Sequence, residues 1–258
     1  MLSRLVYSLY TRILLSKVQA GDVPQHVAVI LDGNRRFAES MGTSSVTSAY
    51  QQGAWKVRQF LEWCQSLRIP QVTLWVLSLD NLRRSRPELR EVLQVIGQEV
   101  VGIAESQRIS QTPRRIRFLG QLNRLPAFLQ NALGKAENMT ARYNDFYLNV
   151  AVAYGGREEI VDAVRKLLVS YGNEGLSLED AVRRVTVKEL GDHLYLEGVP
   201  DPDLIIRTSG EIRLSGFMLW QSVYSEYYFC DAYWPTFRQL DLLRAVRSFQ
   251  QRKRRFGQ

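Results

Sequence analysis

Four short, nearly unbroken apolar runs constrain this chain most: "HVAVIL" (26–31), "QVTLWVLSL" (71–79), "FYLNVAVAYGG" (146–156) and "DLIIRTSG" (203–210). Runs of this length and continuity read as strands covered on both faces. Helical spacing fills the gaps. One segment carries Ala54, Val57, Phe60, Leu61 and Cys64 on one face. Another opens at Ser85, with Glu88 completing a capping box and Pro87 in the first turn. It carries Leu89, Val92, Leu93, Ile96, Val100 and Ile103. "RRIRFLG" predicts a shorter strand, and a helix begins near Pro126. Residues 157–171 predict a helix with Ile160, Val161, Val164, Leu167 and Leu168 inward, and the last helix spans about 238–253. "YGNEGLSLED" reads as a loop and not as a domain boundary. Alternating strands and helices predict an α/β fold with a mostly parallel central sheet flanked by helices. Residues 22–258 form one domain, preceded by an amphipathic helix over 1–21.

In open α/β sheets, ligands gather beyond the carboxyl ends of the strands. Here those ends read "DGNRR", "SLDNLRR", "AYGGRE" and "RTSGEIRLS". They supply Asp32, Gly33, Asn34, Arg35, Arg36, Ser78, Asn81, Arg84, Arg207, Arg213 and Ser215. Guanidinium groups match phosphate oxygens with a planar, charge-assisted fork. Glycines let backbone N–H groups approach an anion where a helix starts. A single acid among arginines suits Mg²⁺, which takes one or two carboxylates and leaves room for substrate phosphates. Neither a GxxxxGK[ST] nor a GxGxxG loop occurs, so the phosphates are not expected to be those of ATP or NAD. Any one of these strand ends could be a plain turn and a solvated helix start. The expectation rests on all four together.

Composition narrows the setting. The 258 residues, 45% hydrophobic and 23% charged, suit a globular chain with a sizeable core. The net charge of +8 points to an anionic partner. Two cysteines and two histidines disfavour a zinc framework, and a reducing, cytoplasmic setting fits. No apolar run has the length of a membrane span. The first stretch carries Arg4, Arg12 and Lys17 and no acid, and Arg12 interrupts the apolar core a signal peptide needs. A helix packed on its own domain or a partner subunit, or a helix peripheral to acidic lipid, both remain open. No RNA-reading aromatic motif accompanies the basic residues, and "RKRR" near the end also suits a solvated helix terminus, so no nucleic-acid partner is expected.

"HVAVILDGNRRFA", "LNVAVAYGGREEIVDAV", "PDPDLIIRTSGEIRLSGFMLWQSVYSEYYF" and the final "RRFG" resemble the cis-prenyltransferases, the family of undecaprenyl diphosphate synthase, from about Pro24 to Gly257. The resemblance implies a non-Rossmann sheet with a hydrophobic tunnel, a homodimer and Mg²⁺. It implies condensation of isopentenyl diphosphate with an allylic diphosphate, geranyl or farnesyl, into a Z-polyprenyl diphosphate. By the same resemblance Asp32 is the metal-linked catalytic acid, with Glu226 as a second acid near the metal. Gly33, Asn34, Arg35, Arg36, Ser78 and Arg84 hold the allylic diphosphate. Asn81 steers proton removal or the leaving group. Arg207, Arg213 and Ser215 hold isopentenyl diphosphate, with Arg255 and Gly257 of the C-terminal motif, in many members from the partner subunit.

Departures from the family pattern bear on substrate and length. Val46, Tyr50 and Leu82 stand where undecaprenyl enzymes usually carry arginine, histidine and tryptophan, and Phe37 replaces another tryptophan. In these details the chain is similar to actinobacterial short-chain Z-isoprenyl diphosphate synthases. Val76 is intermediate between the alanine of long-chain members and the leucine of short-chain ones. Phe146 falls near the far end of the implied tunnel. A short or medium product is expected, with an undecaprenyl- or decaprenyl-type product as the alternative. The family also holds non-catalytic partner subunits, but those tend to lack the acid that Asp32 supplies here.

Overall fold

The computed structural model describes residues 2–42, 46–106 and 113–252. Six strands form one all-parallel sheet: β1 (His26–Ile30), β2 (Gln71–Ser78), β3 (Arg115–Leu119), β4 (Tyr147–Tyr154), β5 (Leu204–Arg207) and β6 (Glu226–Phe229). Their spatial order is β3-β4-β2-β1-β5-β6. From β1 the chain reaches β2 on one side, and much later returns as β5 on the other. Such a switch point opens a crevice at the carboxyl ends of the strands. All five β1 residues are buried, as a central strand covered on both faces requires.

Helices cover the sheet: α1 (Leu2–Gln19), α2 (Asn34–Ser40), α3 (Val46–Ser66), α4 (Arg86–Glu105), α5 (Ala127–Thr140), α6 (Gly156–Asn173), α7 (Leu178–Arg184), α8 (Val187–Asp192) and α9 (Gln239–Gln251). The main core joins Phe60, Leu61 and Cys64 of α3 and Leu93 and Ile96 of α4 to Val72, Leu74, Leu148 and Val150 of the sheet. α1 docks through Leu14 and Val18 against α9, and Gln250 Nε2 donates to the Val18 carbonyl at 2.8 Å. Tyr7 and Tyr10 of α1 lie under the guanidinium groups of Arg238 and Arg244. Among the described residues no helix is long and apolar enough to cross a membrane.

Three expectations change. "YGNEGLSLED" is mostly helical: α6 runs to Asn173 and α7 starts at Leu178, capped by Ser177, whose Oγ accepts from Asp180 N. On α6, Leu167 is buried as expected, but Val161, Val164 and Leu168 are 39–50% exposed, and Glu159, Ala163 and Tyr171 are buried in their place. The helix carries two apolar stripes, and only the one shared with Tyr171 faces the domain. The capping box at Ser85 does not form. Glu88 turns to Arg84 and Tyr50, at 3.3 Å from each.

A buried polar chain fixes the start of β1. His26 Nδ1 donates to the Pro200 carbonyl at 2.7 Å, and Nε2 accepts from the Thr73 hydroxyl at 2.7 Å. Asn149 Nδ2 donates to the same Thr73 oxygen at 3.1 Å. Burial pushes the His26 pKa down to about 4, against weaker upward pulls from the Pro200 carbonyl and Asp203. The native imidazole is therefore neutral where the unfolded one, near pH 6.5, already takes a proton. The unfolded chain binds more protons between these values, so stability is lost as pH falls from about 6.5 to 4, by on the order of 3 kcal/mol. Urea melts at pH 7 and 4.5 are expected to show this loss, and His26→Gln is expected to flatten it.

Candidate active site

Asp32 sits just past β1 and is held from several directions. Its N–H donates to Thr208 Oγ1 at 2.9 Å, and its carbonyl accepts from Trp234 N–H at 3.0 Å. Its Oδ1 accepts from Gly33 N–H at 2.7 Å and lies 3.3 Å from Arg36 Nη2. Its Oδ2 accepts from Arg207 Nη2 at 2.8 Å. Burial works to raise its pKa. The Arg207 hydrogen bond and charge, the Arg36 charge and the Gly33 N–H together outweigh burial, and the carboxyl stays below its ordinary range. It is thus ionised at neutral pH, yet 29% of the side chain remains exposed.

The next residue must be glycine. Gly33 has φ +100°, and a Cβ there would lie 2.7 Å from Tyr233 Cδ1 and 3.0 Å from Ser209 Cβ. This left-handed turn reverses the chain from β1 into α2, whose first-turn N–H groups have no partners within the helix. Asn34 Nδ2 donates back to the Leu31 carbonyl at 3.1 Å. Arg36 donates to Ser209 Oγ at 2.6 Å and to Glu211 Oε1 at 2.9 Å. Arg35 is exposed.

At the end of β2, Ser78 and Asn81 close a reciprocal ring. Ser78 N–H donates to Asn81 Oδ1, and Asn81 N–H donates to Ser78 Oγ, each at 3.2 Å. This leaves the Asn81 amide N–H groups unused among the described residues. Arg84 donates to the Tyr50 hydroxyl at 2.5 Å. Burial raises the Tyr50 pKa, so the phenol keeps its proton.

After β5, Arg207 is 4% exposed and donates to Ser215 Oγ at 2.9 Å and to the Arg213 carbonyl. The loop beyond it is strained, with positive φ at Ser209, Gly210, Ser215, Gly216 and Met218. Concentrated strain of this kind persists where the surroundings over-determine the backbone, commonly at ligand sites. Buried Tyr154 and Glu159 hold the loop from below. The Tyr154 hydroxyl donates to Glu159 Oε2 at 2.5 Å and accepts from Met218 N–H at 3.1 Å.

These strand ends line an open polar cleft. Asp32, Gly33, Asn34, Arg35, Arg36, Ser78, Asn81, Arg84, Arg207 and Ser215 all line it. It adjoins an apolar cavity between α3, α4 and the sheet. Leu31, Asn34, Tyr50 and Val76 line both. A ligand with an anionic head and an apolar tail matches this junction.

Other sequence-derived positions lie elsewhere. Arg213 is 61% exposed and pairs with Glu211. Glu226 is corrected outright for a single chain. It begins β6, in register with Leu204, at the opposite end of the strands from Asp32. There it pairs with Arg252 at 2.5 Å. Phe146 is 3% exposed under the Arg114 guanidinium and does not line the cavity, whose walls include Leu148, Val150 and Ile116. Arg255 and Gly257 lie outside the described residues, as does the side chain of Val46. Sequence reasoning missed Thr208, Tyr233 and Trp234. Trp234 lines the cavity, and its Nε1 donates to the Gly53 carbonyl at 2.8 Å. "YWPT" bends as a short 3₁₀ turn with no periodicity to mark it.

Among the described residues no three His, Cys, Asp or Glu side chains cluster as a ready-made metal cage. Mg²⁺ does not require one, because substrate phosphates and water complete its shell. The ionised, partly exposed Asp32 carboxylate fits that demand. Asn34 Oδ1 and Arg207 Nε, both buried, have no hydrogen-bond partner among the described residues, as in a site completed by a ligand.

Gly33→Ala tests the turn. Strained φ and the clash with Tyr233 are expected to cost about 2 kcal/mol or more, read as a lower urea midpoint with an unchanged slope.

Over residues 30–257 the chain matches the prenyltransferase family of undecaprenyl diphosphate synthase. It is 50% identical over 249 residues to an isoprenyl transferase of Deinococcus radiodurans, covering 96% of this chain and 90% of that protein. It is 47% identical over 252 residues to the tritrans,polycis-undecaprenyl-diphosphate synthase (geranylgeranyl-diphosphate specific) of Methanopyrus kandleri, covering 98% and 91%. Its fold matches the crystal structure of lavandulyl diphosphate synthase from Lavandula x intermedia in complex with dimethylallyl diphosphate. There the TM-score is 0.82 and the identity 34%, over 92% of this chain and 99% of that one. With near-complete coverage by sequence and by fold, the chain belongs to the cis-prenyltransferase family and is a prenyltransferase.

Proposed function

We propose that this enzyme condenses isopentenyl diphosphate with an allylic diphosphate such as geranyl or farnesyl diphosphate, forming a Z-polyprenyl diphosphate. The observation that carries this reading is the junction of the arginine-lined cleft with the apolar cavity through Leu31, Asn34, Tyr50 and Val76. The cleft suits two diphosphates and the cavity suits the hydrocarbon.

In this reading the α2 turn, with Gly33, Asn34, Arg35 and Arg36, holds the allylic diphosphate, joined by Ser78 and Arg84. Arg207 and Ser215 bind the isopentenyl diphosphate, and Arg213 closes over it after releasing Glu211. Asp32 would hold Mg²⁺, which when bound neutralises charge on the departing diphosphate as a Lewis acid. As the allylic C–O bond lengthens, negative charge grows on the diphosphate oxygens. Arg36 and Arg84, fixed beforehand by Ser209 and Tyr50, meet that charge without reorganising. The homoallylic double bond, held alongside by its own diphosphate, attacks the electron-poor carbon. The isopentenyl unit then loses a proton, and Asn81 steers that step or the leaving group.

A homodimer is part of the proposal. It is supported by exposed apolar side chains of the kind a second copy covers: Val161, Val164 and Leu168 on α6, and Ile212 and Val223 in the loop beyond β5. We infer a product of short or medium length from Val76, bulkier than alanine and placed where cleft and cavity meet. The Methanopyrus relative's name favours the long-chain alternative.

Asp32→Asn keeps the hydrogen-bonding shape and removes the charge. Turnover of radiolabelled isopentenyl diphosphate is expected to fall at least about a thousandfold with the fold intact, and loss within about tenfold overturns the assignment. Asp32→Ala is expected to be equally inactive and less stable, because it strands buried Arg207. Val76→Ala is expected to lengthen the product, read by chromatography with geranyl and farnesyl starters. An unchanged distribution counts against the cavity as a tunnel.

A further inference from the structure

Along α4 one acid breaks the apolar wall. Glu99 is the only charged residue lining the cavity among those described. Its Oε2 accepts from Arg58 Nε at 3.0 Å and lies 2.9 Å from the charged Arg58 Nη2, across the seam between α3 and α4. Both side chains are about one-third exposed, so the pair separates the cavity from solvent. α4 is shaped for it. A Cβ at Gly102 would lie 2.7 Å from Arg58 Nη2, so the guanidinium crosses the helix where a side chain is missing. Glycine inside a helix is unfavourable relative to alanine, and here it makes room for the pair.

The seam has other ties. Thr47 donates to Glu91, and Tyr50 donates to Glu88 at 3.3 Å. Tyr50 lines both the cleft and the cavity, so these ties sit near the mouth. Glu99 follows Glu88 by eleven residues, or about 16 Å along the helix. The Arg58–Glu99 pair therefore closes the deep half of the wall, beside Val57, Ile96 and Val100.

We propose that the Arg58–Glu99 pair is a clasp that limits product length. The proposal rests on the reading of the cavity as the product tunnel. A hydrocarbon chain growing to this depth meets a carboxylate it cannot solvate, held by a guanidinium it cannot replace. It must stop, or part α3 from α4. A partly exposed pair holds two helices only modestly, so the limit is one of proportion and not an absolute wall.

The test uses the full-length enzyme, radiolabelled isopentenyl diphosphate and a farnesyl starter, with products sized by chromatography. Glu99→Gln, which keeps the shape, and Arg58→Ala are each expected to raise the ratio of longer to shorter products about two- to fivefold. Initial consumption of the starter should stay near wild type. The double exchange Arg58→Glu with Glu99→Arg is expected to return the ratio toward wild type. An unchanged ratio in both single variants, while Val76→Ala lengthens the product, overturns the clasp and leaves the tunnel standing. An unchanged ratio in all three overturns both. Lengthening that the double exchange does not reverse also overturns the clasp, because restoring the ion pair would then not restore the limit.

Discussion

The contact between Asp32 and Arg207 organises everything near it. It ties the ends of two neighbouring parallel strands, β1 and β5, 175 residues apart in the chain. Arg207 is almost fully buried, and a buried guanidinium is tolerable only with a partner. Asp32 provides that partner and is kept ionised by it. The other Arg207 nitrogen then fixes the loop at Ser215, and the Asp32 backbone is locked by Thr208 and Trp234. One charge pair thus sets the carboxylate, the strained loop and the turn into α2 in a single frame. Such pairs add little net stability, and what this one supplies is geometry.

The division of labour across the sheet follows from that frame. At the carboxyl ends of the strands, polar side chains are held by one another: Arg36 by Ser209 and Glu211, Arg84 by Tyr50, Asn81 by Ser78. Deeper, between α3, α4 and the sheet, the lining is nearly all hydrocarbon. Gly53 stands at the border. A Cβ there would come within 2.5 Å of Asn34 Oδ1 and 3.2 Å of Trp234 Cδ1. The missing side chain at Gly53 leaves Asn34 and Trp234 their places at this border.

Most of the cleft was legible in the sequence because strand ends are local signals. A continuous apolar run followed by acid, glycine and arginine marks its own terminus, and Asp32, Asn81, Arg84 and Arg207 needed nothing more. Glu226 failed for the opposite reason. Its depth depends on the parallel register of a four-residue edge strand, which no local pattern encodes. Glu88 has the spacing of a cap, but Tyr50 and Arg84 offer it better partners, and a competitor 38 residues away is invisible to a four-residue motif. On α6 the periodicity was real, but of the expected inner face only Leu167 is buried, beside Tyr171 and Ala181, because period alone does not say which stripe is covered. Trp234 hid in a turn.

The separation of Asp32 from Arg207 also has a temporal side. β1 is the first strand of the sheet to be made, yet its β5 neighbour lies far downstream. At roughly 5–20 residues per second, the interval between their syntheses is about 9–35 seconds. During that time the apolar first strand can pair with β2 but has one edge open, and the Asp32 carboxylate waits without its guanidinium. Parallel pairing across such a separation is slow to close and exposed while it waits. The same topology that opens the crevice at the strand ends makes the nascent chain dependent on protection of its first strand until almost the whole domain has emerged.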